Sequence, residues 1–446
     1  MTIKANRTIG SVTDDTKTVQ LNWPWWLHPA VATLMLTGVT AATAITFGED
    51  SFTTWGVQKY IQGEYALLLT IGIIAFLAGL IIPTLSVLRS GPSVIVLTSH
   101  QVVFLRTAYR FLFTLTILGY LFWAISAVLQ GISLADLASV VDREEKAISE
   151  LKASSRPIAG LTTLTQFGPL TAALGAFLFR AGLLKLSFLW VVPLALIRTL
   201  FYAERLALLE VLIPILIVVA VTTYRKNRWT WLLRLGPLIA APFVWIVFAS
   251  SEYFRSWVYY QTITTLSFPE WVTTRLLGYY VTGYNNSALM SMTSPGLEVP
   301  PYFSASLFWN APGVDAFAPH PGIGGASPES WWVSILELYG NPEFNNTGSF
   351  LAVNGEIGTL GMILYWLVTG LVIGGVYVGL RRGSITASLA YSVFYIGILE
   401  LPRFIYWTQG RAFPLLLAVI FIALGYPRAR LGLTKRTQKN TATLGN

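Results

Sequence analysis

The sequence predicts an all-α polytopic membrane protein, on three observations. Apolar runs long enough to cross a bilayer recur along the chain, charged residues are scarce, and basic residues gather at alternate ends of the runs. Of 446 residues, 54% are hydrophobic and 11% charged, with a mean hydropathy of +0.60; a soluble domain carries about 25% charged residues. No cysteine is present, which excludes disulfides, thiolate zinc sites and a cysteine nucleophile. The net charge of +9 implies no nucleic-acid partner, because in a membrane protein the placement of Lys and Arg matters more than their sum.

Residues 1–23 are polar and carry no structural expectation. The first apolar run follows them and is long enough to stay as an anchor rather than be removed as a signal peptide. Asn22-Trp23-Pro24-Trp25-Trp26 marks an interface, where indole rings settle at headgroup level. Spans are expected near 27–47, 65–88, 109–130, 159–179, 182–199, 206–223, up to 250, 357–380, 384–401 and 412–427. The total expected is about 10–12. Between the second and third, Val94–Leu97 and Val102–Leu105 flank the polar Thr98-Ser99-His100-Gln101 and predict a small β-hairpin. Ile132 to Arg156 is charged with helical periodicity and predicts an amphipathic helix on the membrane surface.

This divides the chain into a membrane bundle over 1–250, a large extracytoplasmic loop over 251–356, three last spans over 357–427 and a basic tail over 428–446. The stretch from Glu252 to Gly361 is the one long segment not expected to lie in a bilayer. With the N-terminus cytoplasmic, inner segments hold nearly twice as many Lys and Arg as outer ones. Reversing the orientation breaks that pattern, so both termini are placed in the cytoplasm and the large loop outside. No internal repeat marks an inverted-repeat transporter.

Four outer arginines oppose the positive-inside tendency: Arg198 and Arg205 across one turn, Arg403 and Arg411 across another. Guanidinium presents a planar fork of donors to phosphate oxygens, which fits a diphosphate clamp. Ion pairs with Glu204, Glu210 or Glu400, or snorkelling, are the competing account. His320, between Pro319 and Pro321, suits a general base for a sugar hydroxyl, with Glu337 and Glu356 as alternatives. Glu49-Asp50 offers two carboxylates for a divalent metal but lacks an evident third ligand, so no metal or other cofactor is expected. The aromatic side chains Tyr259, Tyr260, Tyr279, Tyr280, Tyr284, Trp309, Trp331 and Trp332 fit sugar stacking, an interfacial belt or the segment's own core.

Thr347-Gly348-Ser349-Phe350-Leu351 followed by Gly355-Glu356-Ile357-Gly358-Thr359-Leu360-Gly361 is similar to the loop-to-helix signature of the bacterial O-antigen polymerase and O-antigen ligase superfamily. The stretch from Arg198 to Glu210 resembles the arginine-bearing segment of oligosaccharide repeat-unit polymerases, and one big outer loop before the last spans resembles the family layout. The resemblance covers about the C-terminal two thirds and implies a GT-C-like fold in the plasma (inner) membrane. It implies a glycosyltransferase that joins polyprenyl-diphosphate-linked repeat units into a surface polysaccharide without metal, with a chain-length regulator protein as a possible partner. The diphosphate would fall to Arg198, Arg205, Arg403 and Arg411. Ligases open the glycine signature with histidine; Thr347 stands there instead, which favours polymerase over ligase and leaves the base open between His320, Glu337 and none. A lipid-linked glycan transporter is the remaining alternative, disfavoured by the long outer loop.

Overall fold

A computed structural model describes residues 17–87, 93–133, 160–202, 205–223 and 230–426. Among these, six helices are long and apolar enough to cross a membrane: α1 (Pro29–Thr46), α2 (Glu64–Val87), α3 (Ser99–Leu129), and then Arg205–Thr222, Gly236–Arg255 and Phe350–Arg381. In chain order α3 is followed by α4 (Gly168–Arg180), α5 (Val191–Tyr202), α6 (Arg205–Thr222), α7 (Gly236–Arg255) and α8 (Phe268–Thr293). The remaining helices are α9 (Pro328–Tyr339), α10 (Phe350–Arg381), α11 (Ile385–Glu400) and α12 (Ala412–Tyr426). The expected all-α membrane architecture is thus present, but of the ten spans expected, those near 159–179, 182–199, 384–401 and 412–427 are shorter helices, and six reach crossing length among the described residues. The surface helix expected over 132–156 and the basic segments at 225–228 and 428–446 lie outside the described residues, apart from Ile132 and Ser133.

The expected hairpin does not form. Val94–Leu97 is a strand (β2), but it pairs antiparallel with Lys17–Gln20 (β1), in the register Lys17 to Leu97 and Gln20 to Val94. Val102–Leu105 belongs to α3. The reason is a capping box: the Thr98 side chain accepts from the Gln101 amide and the Gln101 side chain accepts from the Thr98 amide. This satisfies first-turn donors and starts the helix at Ser99.

Helix α10 runs along α2, and their contact is made by glycine. A Cβ on Gly79 would run into the Leu367 carbonyl, and one on Gly370 into the Phe76 carbonyl. Gly370 and Gly374 are one turn apart, the small-residue spacing that lets two backbones approach where no hydrophobic force drives helices together.

The segment over 251–356 departs most from expectation, because it is not a continuous loop. Glu252 lies within α7, and α10 begins at Phe350. Between them, α8 is a 26-residue helix packed against α10 and α1. It opens with a second capping box, Ser267 with Glu270, and Pro269 in the first turn. Its polar residues are buried yet paired. Asn285 accepts from the Tyr60 and Ile61 amides and donates to the Gln58 carbonyl. Asn286 donates to the Phe344 and Asn346 carbonyls. Satisfied in this way, polar side chains are tolerated inside the bundle.

Candidate functional site

Helix α8 presents Arg275, Tyr279, Gly283 and Asn286 along one face, at helical spacings of three and four. Arg275 forms ion pairs with Glu252 (Nε to Oε2, 2.8 Å) and Glu343 (Nη1 to Oε2, 2.8 Å). Glu252 is fully buried and also pairs with Arg255 (2.7 Å) and Arg205. The Arg205 guanidinium lies 3.9 Å from the centre of the Phe248 ring and 5.5 Å from that of Tyr279. Arg255 also donates to the Tyr279 hydroxyl (3.0 Å). One carboxylate therefore gathers three guanidinium groups.

Arg403 reaches the same place from the other side. A cleft of ≈ 50 Å³ is lined by Arg205, Phe248, Tyr279, Tyr280, Glu400 and Arg403, with apolar side chains of α6 and α7. Arg403 pairs with Glu400 (2.8 Å). Its backbone is fixed by the glycine signature: the Gly348 amide donates to the Arg403 carbonyl (2.8 Å) and the Ser349 hydroxyl to that of Leu401 (2.5 Å). Gly348 has φ +66, and a side chain there would meet Gly283 of α8. Gly355 lies so close to Met290 and Ser291 that a Cβ would stand 3.1 and 3.0 Å from their backbone atoms. Gly358, at φ 73, breaks the helical geometry of α10. The signature is thus a packing device that positions the arginine-bearing turn.

Around this cleft Arg205, Arg255, Arg275 and Arg403 face Glu252, Glu343 and Glu400, leaving one guanidinium in excess. The Nε groups of Arg205 and Arg403 are both buried without a hydrogen-bond partner among the described residues. Two guanidinium groups lining one cleft, with one positive charge in excess around it, are what an anion with several oxygens takes. At the outer edge, burial pushes the Tyr260 phenol up to about 12, reinforced by its hydrogen bond to Glu343. Burial alone would raise Glu343, but the Tyr260 hydroxyl and Arg275 hold it below its ordinary value.

The other expected site residues fall elsewhere. Arg411 pairs with Glu210 (3.4 Å), which also accepts from the Tyr406 hydroxyl (2.9 Å). Arg198 donates to the Thr165 hydroxyl (3.0 Å). Neither lines the cleft, and neither do His320 or Glu337. His320 is exposed, its ring 6.2 Å from Tyr302 and 6.4 Å from Trp309. Glu337 is on the exposed face of α9. Glu356 is buried, and its carboxylate accepts the amides of Tyr302, Phe303 and Ser304 at 2.6–2.8 Å, so it is committed to holding backbone. Glu49 and Asp50 are exposed in the first turn of a short helix. Among the described residues no group of three or more His, Asp or Glu could hold a metal ion.

Arg255 and Arg275 are the site residues that sequence reasoning missed. Both are basic residues in the stretch that begins near residue 251, and Arg255 stands three residues from Glu252, the i, i+3 spacing of a helical ion pair. A second cleft, of ≈ 310 Å³ and almost wholly apolar, lies between α10, α11 and α12, lined by Tyr365, Val372, Tyr391, Tyr395, Ile398 and Trp407 among others. Ile398 borders this groove and Glu400 the cationic cleft, so the same short turn of α11 separates the two.

These features define a helical protein of membrane-spanning character with a cationic cleft beside an apolar groove. Comparisons with protein-family models, with curated proteins and with solved structures give no significant match.

Proposed function

We propose that the protein is a repeat-unit polymerase of the bacterial cell envelope, a membrane glycosyltransferase whose donor is a polyprenyl-diphosphate-linked oligosaccharide. It would act in the plasma membrane, with both termini cytoplasmic and the segment after α7 on the outer side. The observation that carries this reading is the convergence of Arg205 and Arg403 on one cleft with a guanidinium in excess over its carboxylates. A diphosphate offers the counter-charge that this excess lacks, and the apolar groove across the Ile396–Glu400 turn suits its prenyl chain.

In the reaction an acceptor hydroxyl oxygen attacks the anomeric carbon of the donor sugar. The carbon–oxygen bond to the diphosphate breaks, the diphosphate departs with the electron pair, and the hydroxyl proton passes to solvent or a base. Charge grows on the departing diphosphate, so guanidinium groups already oriented by Glu252 and Glu400 lower the barrier without having to reorganise. Neither a metal nor a nucleotide sugar enters this scheme.

The test is Arg205→Ala and Arg403→Ala in cells that make the polymer. Both variants are expected to insert and yet leave single repeat units on the acceptor in place of long chains. Normal chain length in both overturns the clamp, and undecorated acceptor in place of single units points to ligase chemistry.

A further inference from the structure

Beyond the arginine cleft, one part of the stretch between α8 and α9 is built too firmly to be a mere connection. Glu356 grips the amides of Tyr302, Phe303 and Ser304. The Thr408 hydroxyl donates to the Phe303 carbonyl (3.1 Å), and the Ser306 hydroxyl donates to the Thr408 carbonyl (2.5 Å). The Tyr365 hydroxyl donates to the Ser304 carbonyl (3.3 Å). Tyr365 and Thr408 both line the apolar groove, and Thr408 stands in the same turn as Arg403 and Arg411. Residues 302–310 are therefore fixed at one end of the groove and on the turn that carries the cleft's second arginine.

On this fixed segment the side chains form a platform. The Tyr302 hydroxyl donates to the Glu329 carboxylate, and the Asn310 amide lies 3.5 Å from the same hydroxyl. The Trp309 indole is oriented by its hydrogen bond to the Pro301 carbonyl (2.7 Å), and the His320 ring, between two prolines, stands beside both Tyr302 and Trp309. Trp309 is half-buried and His320, Asn310 and Glu329 are exposed.

We propose that Tyr302, Trp309, Asn310, His320 and Glu329 form a carbohydrate-binding subsite that takes a neutral or N-acetylated sugar of the lipid-linked substrate. A sugar ring has an apolar C–H face and an edge of hydroxyls that both donate and accept. The half-buried face of Trp309 meets the first, while Tyr302, itself buried, fixes Glu329 beneath it. The Glu329 carboxylate and the Asn310 side-chain oxygen, whose amide nitrogen is held by the Ser306 carbonyl, meet the second, with the exposed His320 ring at the rim. A phosphate is excluded from this platform by the carboxylate, and an acidic sugar is disfavoured for the same reason. The inference rests on the polymerase reading for the identity of its ligand, but not on the arginine clamp for its chemistry.

The experiment uses the full-length purified protein and three probes: undecaprenyl diphosphate without sugar, the pool of lipid-linked oligosaccharides extracted from the native cells, and the same oligosaccharides released by mild acid. Binding is measured for wild type, Trp309→Ala, Glu329→Ala and Arg205→Ala, with thermal melting to confirm that each is folded. Wild type is expected to hold the glycosylated carrier about tenfold more tightly than the bare one. Trp309→Ala and Glu329→Ala remove that difference and leave the bare carrier untouched, whereas Arg205→Ala weakens both. Equal affinity of wild type for bare and glycosylated carrier overturns the subsite while leaving the clamp in place, as does a tenfold preference that survives in both platform variants. Binding of the released oligosaccharides that depends on Trp309, with neither carrier bound, keeps the subsite and overturns the clamp. No binding of any probe overturns both.

Discussion

The cluster around Glu252 and the platform around Trp309 are two ways to hold polar side chains ready. In the first, charges fix one another: Glu252 is buried among Arg205, Arg255 and Arg275, and each guanidinium is oriented by a carboxylate or a ring. In the second, the backbone is fixed by Glu356 and Thr408 while Glu329, Asn310 and His320 are exposed. A buried ion network loses much when one member goes, because its partners are left as uncompensated charges. An exposed platform loses only its own contacts. The first arrangement suits a charged headgroup that must be gripped in low dielectric, the second a neutral ligand exchanged with solvent.

The sharpest way to break this contrast is Glu252→Ala. It takes the carboxylate from Arg205 and Arg255 and leaves Arg275 with Glu343 alone, and a destabilisation of about 3–5 kcal/mol is expected. His320→Ala should stay within about 0.5 kcal/mol of wild type. Thermal melting of both in the same detergent checks the pair; if they melt together, the distinction between network and platform is wrong. Next in size is Glu356→Gln, which keeps the shape of the side chain but removes the charge that three backbone amides share. Hydrogen bonds to charged groups contribute about 1.5–3 kcal/mol each, so a loss of that order is expected. Hydrogen exchange should rise first at residues 302–304, and exchange unchanged there would remove Glu356 from its role as the platform's anchor.

The proposed polymerase activity sharpens the contrast from within the arginines. Arg403→Ala is expected to shorten the polymer to single units. Arg198→Ala and Arg411→Ala should retain long chains, because Thr165 and Glu210 hold those side chains away from the cleft. Product ladders from the three variants decide, and equal loss in all three would mean that the clamp is wider than the cleft.

The legible part of this molecule was its apolar repetition and its misplaced charge. Long uninterrupted runs such as Glu64–Val87 and Phe350–Arg381 declare themselves as helices because nothing else satisfies so much backbone in lipid. Arg205 and Arg403 are conspicuous because arginines that the expected topology puts on the outer side need a reason to be there, and the structure brings the two to one cleft. Helix α8 was hidden for the opposite cause. Its Asn285, Asn286 and Tyr284 read as loop residues, since no sequence states that the partners of a buried amide will come from residues 58–61 and 344–346. Its start was nonetheless written in Ser267-Phe268-Pro269-Glu270, just as Thr98 and Gln101 announced α3. Period-two runs outweighed the caps in that reading, and the caps were the better guide. Glu356 and Glu337 could not be ranked as bases beforehand, because burial against three amides is a property of the fold alone.

The smallest predicted effect lies where the two regimes meet, at Glu343, which touches the buried cluster through Arg275 but is itself well exposed. The Tyr260 hydroxyl and Arg275 overcome the opposing effect of burial, and the folded carboxyl sits below its ordinary value of 4.5. The charged form therefore favours the folded state. Its contribution is complete above the unfolded value and fades as pH falls through the lower folded one. Glu343→Gln should then melt slightly below wild type at neutral pH, with the gap closing in acid as pH falls beneath the ordinary value of 4.5 and through the lower folded one. Water screens a half-exposed pair, so the gap should also narrow in high salt, whereas the loss in Glu252→Ala, from a carboxylate that is fully buried, should narrow less. A salt-insensitive gap at Glu343 would extend the buried regime out to the edge of the cleft.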